Sequence, residues 1–124
     1  MDIDHFGQFN RTHGAPTADR VLRSFGTVAK DGLRSSDWVA RYGGDEFLFV
    51  MPGTTLDAAR QVIERIGEAF AAQTVESLDG RRVAATLSAG VVELSVEPQT
   101  ADELVDQASK ALNLAKAGGR NRIA

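Results

Sequence analysis

Apolar residues recur at helical spacing in three segments of the chain. Residues 17–34 predict an amphipathic helix, with Thr17 as a plausible N-cap and Gly32 near the end. A second helix is predicted after the turn sequence "PGTT", with apolar positions over residues 56–70. A third covers apolar positions over residues 104–115 and stops at Gly118-Gly119. The apolar face of the first helix consists of Val21, Leu22, Phe25, Val28, Ala29 and Leu33.

Two other segments have the pattern of antiparallel hairpins. In residues 37–52, apolar and aromatic runs flank Gly43-Gly44, and a Gly-Gly pair predicts a two-residue turn with positive φ. The sequence "SLDGRRVAATLSAGVVEL" predicts a hairpin around Asp79-Gly80 that leads into a long strand. "MDIDHF" at the start predicts the last residues of a strand, and "RNRIA" at the end predicts a short closing strand.

The predicted order is β-α-ββ-α-ββ-α-β, which indicates an α+β sandwich with antiparallel pairing. A chain of 124 residues fits one domain. A first strand as short as "MDID" would be poorly anchored. We therefore expect the chain to lack an N-terminal portion of its natural domain, or Met1 to be an internal methionine.

Composition narrows the function classes. The chain has no cysteine, which excludes disulfides, cysteine-based zinc sites and a thiol nucleophile, and which favours a cytoplasmic protein. It has no apolar run of membrane-spanning length, so we expect no direct membrane contact, although a parent protein could be anchored. The net charge of −3 argues against nucleic acid as a partner. Any phosphate ligand must therefore be held by a few local cations.

Four acids stand out as candidate ligands for a hard divalent cation, which prefers carboxylate oxygen. Asp2 and Asp4 lie at the predicted strand end, and Asp45 and Glu46 follow the double glycine. Glycine lets a ligand approach the backbone closely. The same residues also fit solvated acids at a hairpin tip and at a strand end, and the pattern alone leaves these alternatives open.

The stretch "RYGGDEF" resembles the signature of the GGDEF family, the diguanylate cyclases of bacterial signalling. "DIDHFGQFNRTHGAPTADRVL", "RSSD" and "AKAGGRNR" resemble further family motifs in the same order, so the likeness covers nearly the whole chain. It implies a ferredoxin-like, nucleotidyl cyclase (palm-like) sandwich with a central antiparallel-rich sheet flanked by helices. The family's usual opening segment is missing, so residues 1–124 are expected to be an N-terminally truncated GGDEF domain.

The resemblance implies condensation of two GTP molecules into cyclic di-GMP and pyrophosphate in a two-fold homodimer that uses Mg²⁺ (or Mn²⁺). It assigns metal contacts to Asp2, the Ile3 carbonyl, Asp45 and Glu46, and it makes Asp45 and Glu46 catalytic, with Glu46 as a candidate base. An upstream sensory domain is expected in the parent protein.

The resemblance also assigns the substrate contacts: guanine to Asn10 and Asp19, close approach of GTP to Gly43 and Gly44, and triphosphate to Lys116 and Arg120. Without it, Asp19 is an acid near a helix start, Asn10 is a loop residue, and Lys116 and Arg120 are cations at a helix C-terminus.

Arg34 and Asp37 in "RSSD", with Arg65, match the family's inhibitory cyclic di-GMP site, although a surface ion pair remains an alternative. Gly7 stands where the family commonly has a lysine, and "GAPTAD" departs from the family's glycine-histidine motif. These departures leave a second function open: a catalytically weak domain that binds cyclic di-GMP or GTP as a sensor.

Overall fold

The computed structural model describes residues 1–97 and 99–124, which form an α+β domain. Its helices are α1 (Phe6–His13), α2 (Ala15–Gly32), α3 (Leu56–Ala72) and α4 (Ala101–Ala117). Its strands are β1 (Asp2–Ile3), β2 (Trp38–Arg41), β3 (Phe47–Val50), β4 (Val75–Glu76), β5 (Arg82–Val83) and β6 (Leu87–Ser88). The predicted fold class is confirmed.

Strand β1 lies between the β2–β3 hairpin and β6. It pairs antiparallel with β6, Ile3 opposite Leu87, and an antiparallel bridge joins Asp2 to Glu46 at the start of β3. The hairpin is antiparallel, with Arg41 opposite Phe47. This arrangement brings residues from distant parts of the chain together around β1.

The core lies where α2 and α3 pack against the hairpin. Phe25 of α2 is fully buried, and its ring lies 4.4 Å from that of Phe47, 6.3 Å from that of Phe49 and 5.4 Å from that of Phe70. Tilted and edge-on aromatic contacts at these distances add to the stabilisation from area burial. The core therefore holds β3, and with it the loop that precedes β3, against two helices.

The prediction for α2 was right in type and wrong at its start. The helix begins at Ala15, with Gly14 as its N-cap at φ 85° and Pro16 in the first turn. Proline is favoured there because its missing N–H has no partner to lose. Thr17 is therefore not the cap: it is buried inside the helix, and its hydroxyl forms no hydrogen bond within the described residues.

Helix α1 was not predicted. It is a short helix with few apolar residues, so the sequence gives only a weak period; its Phe6 and Phe9 pack on the core. The long strand expected after Asp79-Gly80 is divided into β5 and β6. The division arises because the chain leaves β4, its partner in β5, to pair with β1 in β6.

The β2–β3 hairpin is confirmed, but its turn differs from the prediction. Pairing ends at Arg41 opposite Phe47, so residues 42–46 form a longer loop. Gly43 and Gly44 do not adopt positive φ, whereas Gly80 does, at 82°, in the predicted turn between β4 and β5. The double glycine is therefore not explained by a two-residue turn.

Helices α3 and α4 are confirmed. Thr55 caps α3, and Thr100 and Glu103 form a capping box at the start of α4. A Cβ on Gly90 would overlap the backbone of α4, so this glycine allows the helix to lie directly on the strand region after β6. The predicted closing strand is reduced to one parallel bridge between Ala89 and Ile123.

None of the helices within residues 1–97 and 99–124 combines the length and apolar character needed to cross a membrane.

Candidate functional site

Two carboxylates from distant parts of the chain meet beside β1. Asp2 is in β1, and Asp45 is in the 42–46 loop, whose backbone carbonyl at Asp45 accepts a hydrogen bond from the Ile3 N–H at 3.1 Å. Asp2 is buried, 7% exposed. Burial raises the pKa of Asp45, and a side-chain hydrogen bond with Asp2 and the charge of Asp2 raise this pKa further. The Asp2 side chain is therefore close enough to oppose the ionisation of Asp45.

Lys116, in the last turn of α4, forms an ion pair with the Asp2 carboxylate. Lys116 and Glu46 also line a cleft of about 190 Å³ beside this pair, together with Tyr42 and Asn113. The predicted residues Asp2, Asp45, Glu46 and Lys116 thus surround one place, which we call the acid centre.

The donor chemistry of the acid centre fits a hard divalent cation. Its ligands would be carboxylate oxygens and a backbone carbonyl, as such cations prefer. Burial is the main cause of the raised pKa of Asp45, the nearby acids Asp2 and Glu46 add to it, and a bound cation would favour the ionised form. Among the described residues no group of three or more His, Asp or Glu side chains is arranged to hold a metal ion. The ligand set predicted from the sequence, which is Asp2, Asp45, Glu46 and the Ile3 carbonyl, therefore stays a prediction.

The 42–46 loop is held by hydrogen bonds rather than by special φ angles. The Arg41 guanidinium donates to the carbonyl oxygen of Gly43 at 3.3 Å and to that of Gly44 at 2.6 Å. The N–H groups of Tyr42 and Gly43 donate to the Glu46 carbonyl at 2.8 and 3.2 Å. Sequence reasoning missed Arg41, although it is the first basic residue before the double glycine.

The two glycines of this loop have different surroundings. A Cβ on Gly44 would meet no atom within 4 Å, whereas one on Gly43 would lie 3.4 Å from a Glu46 carboxylate oxygen. Gly44 is therefore open to an approaching ligand, and Gly43 leaves room for the Glu46 side chain.

Asp4 has a different environment from the other candidate ligands. Its carboxylate accepts hydrogen bonds from the hydroxyls of Thr86 and Ser88, each at 2.7 Å, and from the Asn121 N–H at 3.0 Å. These donors occupy both carboxylate oxygens. Asp4 is therefore a structural acceptor rather than a member of the acid centre, and its partners are too distant in sequence for a local motif to indicate them.

The structure does not join the predicted guanine residues to the acid centre by any direct contact. Asn10 lies on α1 and Asp19 on α2, both are exposed, and in the described part of the chain neither side chain forms a hydrogen bond. Arg120 follows α4 in a left-handed conformation, φ 63°, and its side chain forms no ion pair within residues 1–97 and 99–124.

Arg34 and Asp37 do contact each other, between α2 and β2. The Arg34 backbone N–H donates to Asp37 Oδ2 at 2.9 Å, and the guanidinium lies 3.3 Å from Oδ1. The guanidinium also donates to the Thr54 hydroxyl at 2.6 Å and to the Pro52 carbonyl at 3.2 Å. Burial alone would raise the pKa of Asp37, but the hydrogen bonds and charge of Arg34 outweigh it and leave this pKa lowered.

Arg65, the third residue predicted for the inhibitory site, lies on α3. Its guanidinium donates to the Gly32 carbonyl at 3.4 Å, at the end of α2. Arg34, Asp37 and Arg65 therefore all lie around the connection from α2 to β2, which we call the arginine corner.

Comparison with known proteins gives a consistent set of relatives. The family model described as "Diguanylate cyclase, GGDEF domain" matches residues 1–122. The chain is 36% identical over 123 residues to diguanylate cyclase A of Treponema denticola, covering 99% of this chain and 33% of that protein. The chain therefore spans about a third of the length of this curated relative.

Two solved structures of related proteins have the same fold as this chain. The diguanylate cyclase SiaD of Pseudomonas aeruginosa, crystallised with its activator SiaC, matches with a TM-score of 0.93 and 34% identity over 99% of this chain and 46% of that one. The GGDEF domain of DgcB from Caulobacter crescentus, in complex with cyclic di-GMP, matches with a TM-score of 0.86 and 28% identity over 99% and 72%.

Proposed function

Because the chain belongs to the GGDEF domain family, we propose that it is a diguanylate cyclase domain, which joins two GTP molecules into cyclic di-GMP and releases two pyrophosphates. The observation that carries this proposal is the acid centre: Asp2 and Asp45 meet across β1 and the 42–46 loop, with Lys116 at the same place. Paired carboxylates beside a cation suit nucleotidyl transfer, which needs charge neutralisation and positioning.

In this proposal Asp2, Asp45, Glu46 and the Ile3 carbonyl hold Mg²⁺ or Mn²⁺. When bound, the cation would neutralise the negative charge that develops on the phosphates. Lys116 adds positive charge from α4, and its present ion pair with Asp2 places its ammonium at the acid centre. Arg120 lies just after the end of α4 and is the second cation that we propose for binding the triphosphate.

Glu46 is proposed as the base. It accepts the proton of the attacking 3′-hydroxyl as the new bond to the α-phosphorus forms, and the bond from that phosphorus to the pyrophosphate oxygen breaks. Two such reactions, one in each half of a two-fold homodimer, close the cyclic product. The open space at Gly44 leaves the backbone accessible to the phosphates.

The base of GTP is proposed to contact Asn10 and Asp19. Guanine presents N–H donors on its Watson–Crick edge, which a carboxylate such as that of Asp19 can accept. The exposed positions of both side chains leave them available to a ligand.

The arginine corner is proposed as a site for the product. The Arg34 fork can bind guanine O6 and N7, and Asp37 can accept from the other edge of the base. Since Arg34 already contacts Asp37, Thr54 and Pro52, product binding would have to redirect some of these hydrogen bonds. We also propose that an upstream sensory domain in the parent protein controls this domain in response to a signal.

The test is incubation of the chain with GTP and Mg²⁺ over a range of protein concentrations, with cyclic di-GMP measured by chromatography. Glu46→Gln should abolish product, whereas Glu64→Gln, on the exposed face of α3, should not. A rate per molecule that rises with protein concentration would support the homodimer. Absence of product at every concentration, with cyclic di-GMP binding that Arg34→Ala removes, would replace the cyclase by a binding module.

A further inference from the structure

Asp4 connects the acid centre to the C-terminal end of the chain. It directly follows β1, which carries Asp2, and it is buried, 7% exposed. Its donors come from two other segments. The hydroxyls belong to Thr86, just before β6, and to Ser88 in β6, and the third donor is the backbone N–H of Asn121 after α4. A buried carboxylate is costly unless it is hydrogen-bonded, and here the three donors satisfy it.

The segment that Asp4 holds has an unusual backbone. Gly119, Arg120 and Asn121 have φ angles of 116°, 63° and 47°, so three consecutive residues occupy the left-handed side of φ. This region is unfavourable for arginine and tolerated by asparagine, and such a conformation persists only where surrounding contacts enforce it. The Arg120 N–H donates to the Ala115 carbonyl at 3.1 Å, and the Asn121 N–H donates to Asp4.

These two hydrogen bonds have different anchors. The first ties Arg120 to its own helix, while the second ties the next residue to the end of β1. Because Arg120 is anchored to α4 and the residue that follows it is anchored to the end of β1, the Arg120 backbone is held relative to both α4 and β1. Loss of the Asp4 carboxylate would remove the direct hydrogen bond between the turn and the end of β1, and would leave the turn attached to α4 and, through the Arg122 carbonyl, to the Ala89 N–H after β6.

We propose that Asp4 is a positioning residue that fixes the left-handed turn at Arg120 and so sets the distance of the Arg120 cation from the acid centre. The inference rests on the proposed function, in which Arg120 binds triphosphate. Asp4 itself touches no substrate in this account; it acts through the Asn121 amide and the turn.

The first test measures affinity for a non-hydrolysable GTP analogue by calorimetry, with Mg²⁺ present. Asp4→Ala should weaken binding about tenfold, because the turn loses its anionic acceptor. Asp4→Asn should recover most of the affinity, since its amide oxygen can accept from Asn121 and its NH₂ can donate to the Ser88 hydroxyl. Asp106→Asn, on the exposed side of α4, is the matched control and should bind as the parent does.

A double-mutant cycle separates positioning from general damage to the fold. In an Arg120→Ala background, Asp4→Ala should cost less than about twofold in affinity, because the cation that it positions is already gone. An unchanged tenfold loss in that background would overturn the proposal. If Asp4→Ala does not fold, the same cycle is made with Asp4→Ser, whose shorter side chain keeps a polar atom but not the carboxylate, and an equal loss of about tenfold in both backgrounds overturns the proposal as well.

Amide hydrogen exchange at Asn121 tests the link without GTP. In the parent chain this amide should be protected. If the parent binds the analogue but Asn121 exchanges as fast as an exposed loop amide, the role of Asp4 is wrong while the proposed function stands. If the parent binds no analogue although Asn121 is protected, the proposed function fails, and the role of Asp4 towards triphosphate fails with it.

Discussion

The acid centre and the arginine corner each contain a carboxylate beside a cation, but they use the charge in opposite ways. In the arginine corner, Arg34 donates from its backbone and its guanidinium, and the pKa of Asp37 is lowered. In the acid centre, burial and the neighbouring Asp2 raise the pKa of Asp45, although Lys116 pairs with Asp2. In the arginine corner the Asp37 carboxylate is stabilised in its charged form by Arg34, whereas in the acid centre the charged form of Asp45 is disfavoured by burial and by Asp2.

The largest effect that sharpens this contrast is expected from Asp45→Asn. The change should lower cyclic di-GMP formation at least about a hundredfold, because it removes a ligand of the proposed cation. Stability should stay the same or rise, since the substitution removes repulsion with Asp2. Turnover and thermal unfolding of the same samples are the measurements. A clear loss of stability would mean that Asp45 belongs with the satisfied carboxylates, as Asp37 does.

The next effect concerns α4, the helix that carries Lys116 to the acid centre. Gly90→Ala should lower the free energy of unfolding by about 2 kcal/mol, because its Cβ would overlap the backbone of α4 and displace the helix that carries Lys116. Gly44→Ala should change stability little, since its Cβ meets nothing, yet reduce GTP affinity. Denaturant titration and analogue binding separate the two. Equal destabilisation by both substitutions would contradict the account of the open loop.

Asp37→Asn tests the arginine corner and its dependence on pH. The folded pKa of Asp37 lies below its ordinary value of 3.8, so its contribution is fully present above that value and is lost as pH falls through the lower folded pKa. At neutral pH the substitution should cost about 1 kcal/mol of stability, through loss of charge-assisted hydrogen bonds.

The measurement for this prediction is thermal unfolding of parent and variant between about pH 7 and about pH 3. The stability difference should shrink at the acid end of that range. A difference that is independent of pH would show that the Asp37 charge contributes nothing to the corner.

The smallest effect on stability is expected from Arg41→Met, which removes the hydrogen bonds to the Gly43 and Gly44 carbonyls. Arg41 is exposed, so unfolding should change by less than about 0.5 kcal/mol. The KM for GTP should rise about fivefold, because the loop proposed to contact the substrate loses the hydrogen bonds that hold it. Steady-state kinetics and unfolding of the variant and the parent would show whether KM rises while stability stays the same. An unchanged KM would mean that Arg41 has no role in GTP binding.

Local sequence signals predicted much of the fold. Helices α3 and α4 combine a clear apolar period with threonine caps, so type and position both follow from the sequence. The β2–β3 hairpin could be predicted because two apolar and aromatic runs flank the Gly43-Gly44 break. Helix α1 and the true start of α2 were missed, since a proline in a first turn and a glycine cap compete with the threonine signal.

The candidate site was predicted only in part, because its chemistry comes from residues far apart in sequence. Asp2 and Asp45 were named as candidate ligands from their residue type and position, and Lys116 through resemblance; the structure brings the three together. Their roles, with those of Asn10 and Asp19, remain predictions. Sequence reasoning did not identify Asp4 as a link, since its partners Thr86, Ser88 and Asn121 are distant along the chain and none belongs to a recognisable polar motif with it.

The most direct test of the acid centre is the stoichiometry of the reaction with GTP and Mg²⁺, measured for the parent chain and Asp45→Asn at equal protein concentrations. The account predicts that the parent forms one cyclic di-GMP and two pyrophosphates for every two GTP consumed, and that the variant forms neither. Equal amounts of cyclic di-GMP from both proteins would contradict the central role given to the paired acids.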